Sequence, residues 1–114
     1  MNPLRILTAG FLWRWFGAPG SADTLLEAVA SDDEQNRMLA GISLVKAGGK
    51  SFDLIEDQID TGHATPSAVR LLPDIDPGRA RGVLEKVSKG HGDLVDTATE
   101  CIDTIIRMEL IDDD

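Results

Sequence analysis

One cysteine, no tyrosine and five aromatic side chains are all that this chain of 114 residues holds of those types. The single Cys101 excludes an internal disulfide and fits a reducing compartment. Cations are also scarce: eleven Lys and Arg stand against twenty Asp and Glu, for a net charge of −9. Phosphate recognition needs clustered Lys and Arg, so this balance argues against a general nucleic-acid binder. The most apolar segment, Pro3–Phe16, falls short of the ~20 residues that cross a bilayer. It also makes a poor secretory signal, because Arg14 interrupts it and Trp-Arg-Trp-Phe leads into Gly17-Ala18-Pro19-Gly20. We read it as part of the mature protein. No stretch alternates polar and apolar residues long enough to make a strand.

What the chain does contain is a repeat. Arg37, Ala40, Leu44, Ala47, Phe52, Ile55 and Ile59 are followed 28 positions later by Thr65, Ala68, Leu72, Ile75, Ala80, Val83 and Val87. Six of the seven matched places are small or apolar in both copies. Ala98, Ile102 and Ile105 continue the series thirty residues after Ala68, Leu72 and Ile75. A period of this size, built from helical half-units, marks stacked helix pairs that bury a shared core. The length fits one domain.

Caps and stops predict seven helices joined by short turns. Ser21 precedes a helix over Ala22–Ala30, and Ser31-Asp32 caps one running to about Ala47. Gly48-Gly49 stops that helix, and Ser51 caps Phe52–Asp60. Thr65 and Pro66 open the next, which Pro73 bends or ends near Asp74. Asp76-Pro77 starts a helix to about Lys89, and Asp93 caps the last, through Met108 or beyond. Residues 1–20 form an apolar aromatic N-terminal helix, residues 21–111 a repeat domain, and residues 112–114 an acidic tail.

The segment Arg37-Met38-Leu39-Ala40-Gly41-Ile42-Ser43-Leu44-Val45-Lys46-Ala47-Gly48-Gly49 resembles the first helix and turn of a HEAT-like repeat, and Leu72-Pro73-Asp74-Ile75-Asp76-Pro77 extends the likeness. The chain is similar over roughly residues 21–107 to the short HEAT-like repeats of bacterial proteins and phycobilin-lyase relatives. This resemblance implies an all-α, short HEAT-like α-solenoid of about three and a half units. It further implies that the second helix of each unit lines an inner surface. Asp53, Glu56, Asp57 and Asp60 would then form an acidic patch, followed by a mixed one at Glu85, Lys86 and Lys89.

No motif for chemistry completes itself. Gly49-Lys50-Ser51 looks like the end of a phosphate loop, but position 44 is Leu where that loop needs Gly, and no strand precedes it. Asp74, Asp76 and Glu85 match three positions of a calcium loop, yet Gly78 and Arg79 occupy places that need an oxygen ligand and a glycine. Cys101, His63 and His91 lack zinc-ligand spacing. The expectation is therefore no catalytic residue, no cofactor and no metal.

Four of the five aromatics, Phe11, Trp13, Trp15 and Phe16, crowd into six residues. On a helix Phe11 and Trp15 share a side, Leu12 and Phe16 share another, and Trp13 points elsewhere. Apolar residues on several sides ask for more than one covering neighbour. Phe11, Trp13, Trp15 and Phe16, with Asp53, Glu56, Asp57 and Asp60, are the candidate partner-binding residues. The expected function is a non-catalytic, cytoplasmic adaptor, scaffold or accessory subunit that binds protein or itself. A membrane-surface adaptor anchored by residues 3–16 is the alternative, and a chromophore-handling, lyase-like protein a distant one.

Overall fold

The computed structural model describes residues 2–112; of the expected acidic tail, Asp113 and Asp114 lie outside that range. The protein is all-α, with no strand among the described residues. Its first helix, α1 (Pro3–Phe16), begins where the Asn2 side chain accepts the Leu4 N–H at 2.9 Å and Pro3 needs no N–H partner. Gly17 closes it at φ 62°, donating its own N–H to the Trp13 carbonyl at 3.0 Å.

α2 (Pro19–Val29) starts before Ser21, which is buried inside the helix instead of capping it. Asp33, one residue past the expected Ser31-Asp32 cap, accepts the Asn36 N–H at 3.0 Å and opens α3 (Glu34–Ala47). Gly48 then turns the chain at φ 68°, so that α4 (Gly49–Asp60) follows with no intervening loop. This tight turn corrects the expected role of Ser51. It lies within the first turn of α4, fully buried, with its hydroxyl facing the core.

One expected helix is two. α5 (Pro66–Val69), capped by Thr65, and α6 (Leu72–Ile75) are single turns separated by Arg70 and Leu71. Pro73 can give no N–H to the Val69 carbonyl and its ring crowds that oxygen, so α5 stops at Val69, four residues before the proline. Asp76 caps α7 (Pro77–Ser88) by accepting the Arg79 N–H at 3.1 Å, and α8 (Leu94–Asp112) is the last described helix.

α1 packs on α3, α3 on α6, and α5 on α8. The meeting residues are Gly10 with Ser43, Gly41 with Leu71 and Arg70 with Glu100, pairs separated by 33, 30 and 30 positions. α2 fills the angle between α1 and α3, and α7 folds back along α8, where Arg81 pairs with Glu109 at 2.9 Å. Glycine permits the closest approach: a Cβ at Gly10 would stand 2.6 Å from the Ser43 hydroxyl.

A single core runs through all of this. Ala40, Leu44, Ile55, Ala68 and Leu72 are buried in it, and Ile59, Val83 and Val87 pack on it half-buried. Ile6, Ala9 and Trp13 bring α1 into the same core.

Candidate interaction surface

α1 divides its aromatics between inside and outside. Trp13 is only 7% exposed, and its indole Nε1 donates to the buried Ser51 hydroxyl at 3.0 Å. Lys50, next to Ser51, donates from Nζ to the carbonyls of Trp13 at 3.0 Å and Arg14 at 2.9 Å. Those carbonyls sit at the C-terminal end of α1, where a positive charge is favoured. The first turn of α4 thus holds α1 in place through a hydroxyl and an ammonium. Of the four aromatic candidates, Trp13 is the one the structure turns inward.

The other three face out. Phe11 is 56% exposed, Trp15 62% and Phe16 71%. Phe11 lies between Trp15 and Phe16, with ring centroids 6.4 and 6.2 Å away. Leu4 and Leu7 are exposed as well, and the series Leu4, Leu7, Phe11, Trp15 follows the three-and-four spacing of one helix side. Arg5 and Arg14 flank this stripe on its two shoulders, and α1 contains no acid. The Arg14 guanidinium lies 5.2 Å from the Trp15 ring centre.

The stripe continues onto α3. A shallow cleft between α1 and α3 is lined by Leu7, Phe11, Arg14, Trp15, Ser43 and Lys46. Lys46 also borders an open groove of about 740 Å³ between α3 and the α5–α6 pair, where Met38 and Ile42 are exposed. Of the residues lining this second groove, Glu34 and Asp74 are acids and Arg37, Lys46 and Arg70 are bases. The result is an apolar face across two neighbouring helices, with Arg5, Arg14 and Lys46 around it.

The acidic patch on α4 has a different character. Arg79, on α7, donates from Nη2 to Asp53 at 2.6 Å and to Glu56 at 2.9 Å. Its guanidinium lies 4.2 Å from the centre of the Phe52 ring, closing the core over that side chain. The hydrogen bond to Asp53, above all, raises the guanidinium pKa further above its ordinary value. Two of the four predicted acids are therefore engaged within the molecule. Asp57 and Asp60 remain exposed, and no ion pair involves either one among the described residues.

No family model, curated protein or solved structure matches this chain.

Among the described residues no group of three or more His, Cys, Asp or Glu is placed to hold a metal ion. Asp76, one of the calcium-loop matches, serves as the α7 cap. Gly49-Lys50-Ser51 forms the start of α4 directly after α3, and two of its side chains brace α1.

Met38 and Ile42 are the surface residues that sequence reasoning missed. Their signal was present: they lie four apart on α3, on the side opposite Ala40 and Leu44. The repeat itself follows the buried side of that helix, at Ala40 and Leu44.

Proposed function

We propose that this protein is a non-catalytic adaptor or accessory subunit that binds another protein chain through the outer face of α1 and α3. The observation that carries the reading is the exposed stripe Leu4, Leu7, Phe11, Trp15, continued by Phe16, Met38 and Ile42. Exposed apolar patches of this kind mark interaction surfaces, because water pays for them in every state where they stay uncovered. The residue spacings of about thirty between packed helices support a short HEAT-like array of about three and a half helix pairs as the scaffold. The acidic side chains Asp57 and Asp60 on α4 are a secondary contact for a basic segment.

A membrane-surface adaptor is the second reading, favoured by Trp15 and Phe16 flanked by Arg14 and Arg5 on one short helix. No helix among the described residues is long and apolar enough to cross a membrane, so such an attachment would be interfacial.

The test compares the wild-type chain with a Trp15→Ser/Phe16→Ser variant, each used as bait in affinity purification from the native cell. The proteins retained by the wild type should be lost with the variant, while both give the same thermal melt. Equal retention would remove this face as the docking site. Flotation of the wild type with anionic vesicles, abolished in the variant, would favour the membrane reading.

A further inference from the structure

The α1–α3 face needs an occupant that is apolar along one side and acidic beside it. The chain carries such a segment at the other end of its helix series. α1 packs on α3, α3 on α6 and α5 on α8, so α8 and α1 are the two ends. The last turns of α8 expose Ile106, Met108, Leu110 and Ile111. Ile106 and Leu110 stand four apart and share a side of the helix. From Asp103 onward the sequence holds five acids, Asp103, Glu109, Asp112, Asp113 and Asp114, against one base, Arg107; within the chain Asp103 pairs with Arg107 at 2.8 Å and Glu109 with Arg81 at 2.9 Å. The receiving face has Arg5, Arg14 and Lys46 and no acid on α1.

We propose that the C-terminal part of α8 of one copy docks on the α1–α3 face of a second copy, joining chains head to tail. This rests on the reading of that face as a docking surface and names its occupant. The apolar side of the helix covers Leu7, Phe11, Trp15 and Ile42, and the acidic sequence of that helix end complements Arg14 and Lys46. A pairing of α1 with α1 would place Arg5 and Arg14 of both copies around one apolar seam with no acid from α1 to offset them. Like charges so placed oppose that symmetric dimer. The α8-to-α1 contact is heterologous: each copy uses one surface and leaves the other open, so association continues past two chains unless a ring closes. The net charge of −9 repels copies at long range while the local pairs attract, so salt acts in both directions and does not decide the matter.

Mixing decides it. One variant, Phe11→Glu/Trp15→Glu, loses the face and keeps α8. The other, Leu110→Glu/Ile111→Glu, loses the helix end and keeps the face. All four positions are exposed, and circular dichroism melts should match those of the wild type. Sedimentation velocity is run from about 1 µM to about 1 mM, a span that covers moderate to weak affinities. The wild-type mass should grow past two chains, and each variant alone should stay at one. An equimolar mixture of the two variants should form two-chain particles and nothing larger. A charge-only variant, Arg14→Glu/Lys46→Glu, should associate at least tenfold more weakly than the wild type. A wild type that remains a single chain throughout overturns the proposal. So does a helix-end variant that still dimerises alone, a mixture that stays monomeric, or a charge variant with unchanged affinity. If the chain is monomeric yet native partners depend on Trp15 and Phe16, self-assembly falls and the docking surface stands. If neither holds, both fall.

Discussion

α1 and α4 each turn one large ring into the core and leave a chemically distinct side in water. Trp13 and Phe52 are the inward rings, and both are finished by a group from another helix: Ser51 accepts from one, and Arg79 covers the other. The outward sides differ. On α4 the outward side chains are carboxylates, which water solvates well, and two of them, exposed Asp53 and half-buried Glu56, already pair with Arg79. On α1 they are Phe11, Trp15 and Phe16, for which water is a poor solvent. A charged surface can remain bare indefinitely, whereas an apolar one gains from being covered. This is why the aromatic side of α1, more than the acidic side of α4, points to a partner.

The comparison breaks first at the inward rings. Phe52→Ala on α4 and Trp13→Ala on α1 should each cost about 3–5 kcal/mol in chemical denaturation, the usual range for emptying such a site. A loss below about 0.5 kcal/mol for either ring, the range of ordinary surface changes, would mean that it does not fill the core. The next effect sharpens the link between the two helices. Ser51→Ala leaves the buried Trp13 N–H without its acceptor and should cost about 1–3 kcal/mol. A Trp13→Phe background should reduce that loss, since the orphaned donor is then gone, and an undiminished loss would show that Ser51 acts by some other contact.

The outward sides give the smallest stability effects and the sharpest contrast. Trp15→Ser and Asp57→Asn/Asp60→Asn should each leave the melting free energy within about 0.5 kcal/mol of the wild type. Trp15→Ser should impair partner retention far more than the carboxylate variant, whose side chains make only the secondary contact. If the carboxylate variant impairs it equally, the two surfaces act together and α1 is not the dominant docking side. Cys101 provides a control remote from both helices. Burial, chiefly, raises its thiol pKa above the ordinary value, and the charges of Glu100 and Asp74 add to this while Arg70 opposes it. A raised folded pKa favours the neutral thiol, so its contribution is complete below the unfolded pKa. It declines as pH rises through that value toward the folded one, above about pH 8.5. Cys101→Ala should remove this component of the alkaline decline and leave association through α1 unchanged.

The all-α class and most boundaries were legible because their causes are local. Thr65 before Pro66 and Asp76 before Pro77 act on their own neighbours, and each does what its type and spacing imply. Ser51 was misread because a serine after two glycines is an ordinary cap on local grounds. What moved it inside was the sharp turn at Gly48 and an indole from 38 residues earlier. Arg79 is similar, since its partners Asp53 and Glu56 stand 26 and 23 residues back. In the interaction surface, the clustering of aromatics was visible, but which ring turned inward depended on where α3 and α4 lay. The break at Arg70-Leu71 was visible in part: Pro73 announced it, and its placement follows from the carbonyl four residues before.

That break has a consequence for how the molecule moves. α5 and α6 are single turns, too short to stand alone, and their order comes from what packs around Ala68, Val69, Leu72 and Pro73. They lie between α3 on one side and α8 on the other. The middle of the series is therefore its weakest splice. Amide protons of residues 68–76 should exchange with solvent before those in the centres of α1 and α3, as this segment opens while both flanks hold. Strain applied to the two ends would be released there first, separating the aromatic half of the molecule from the half that carries α8.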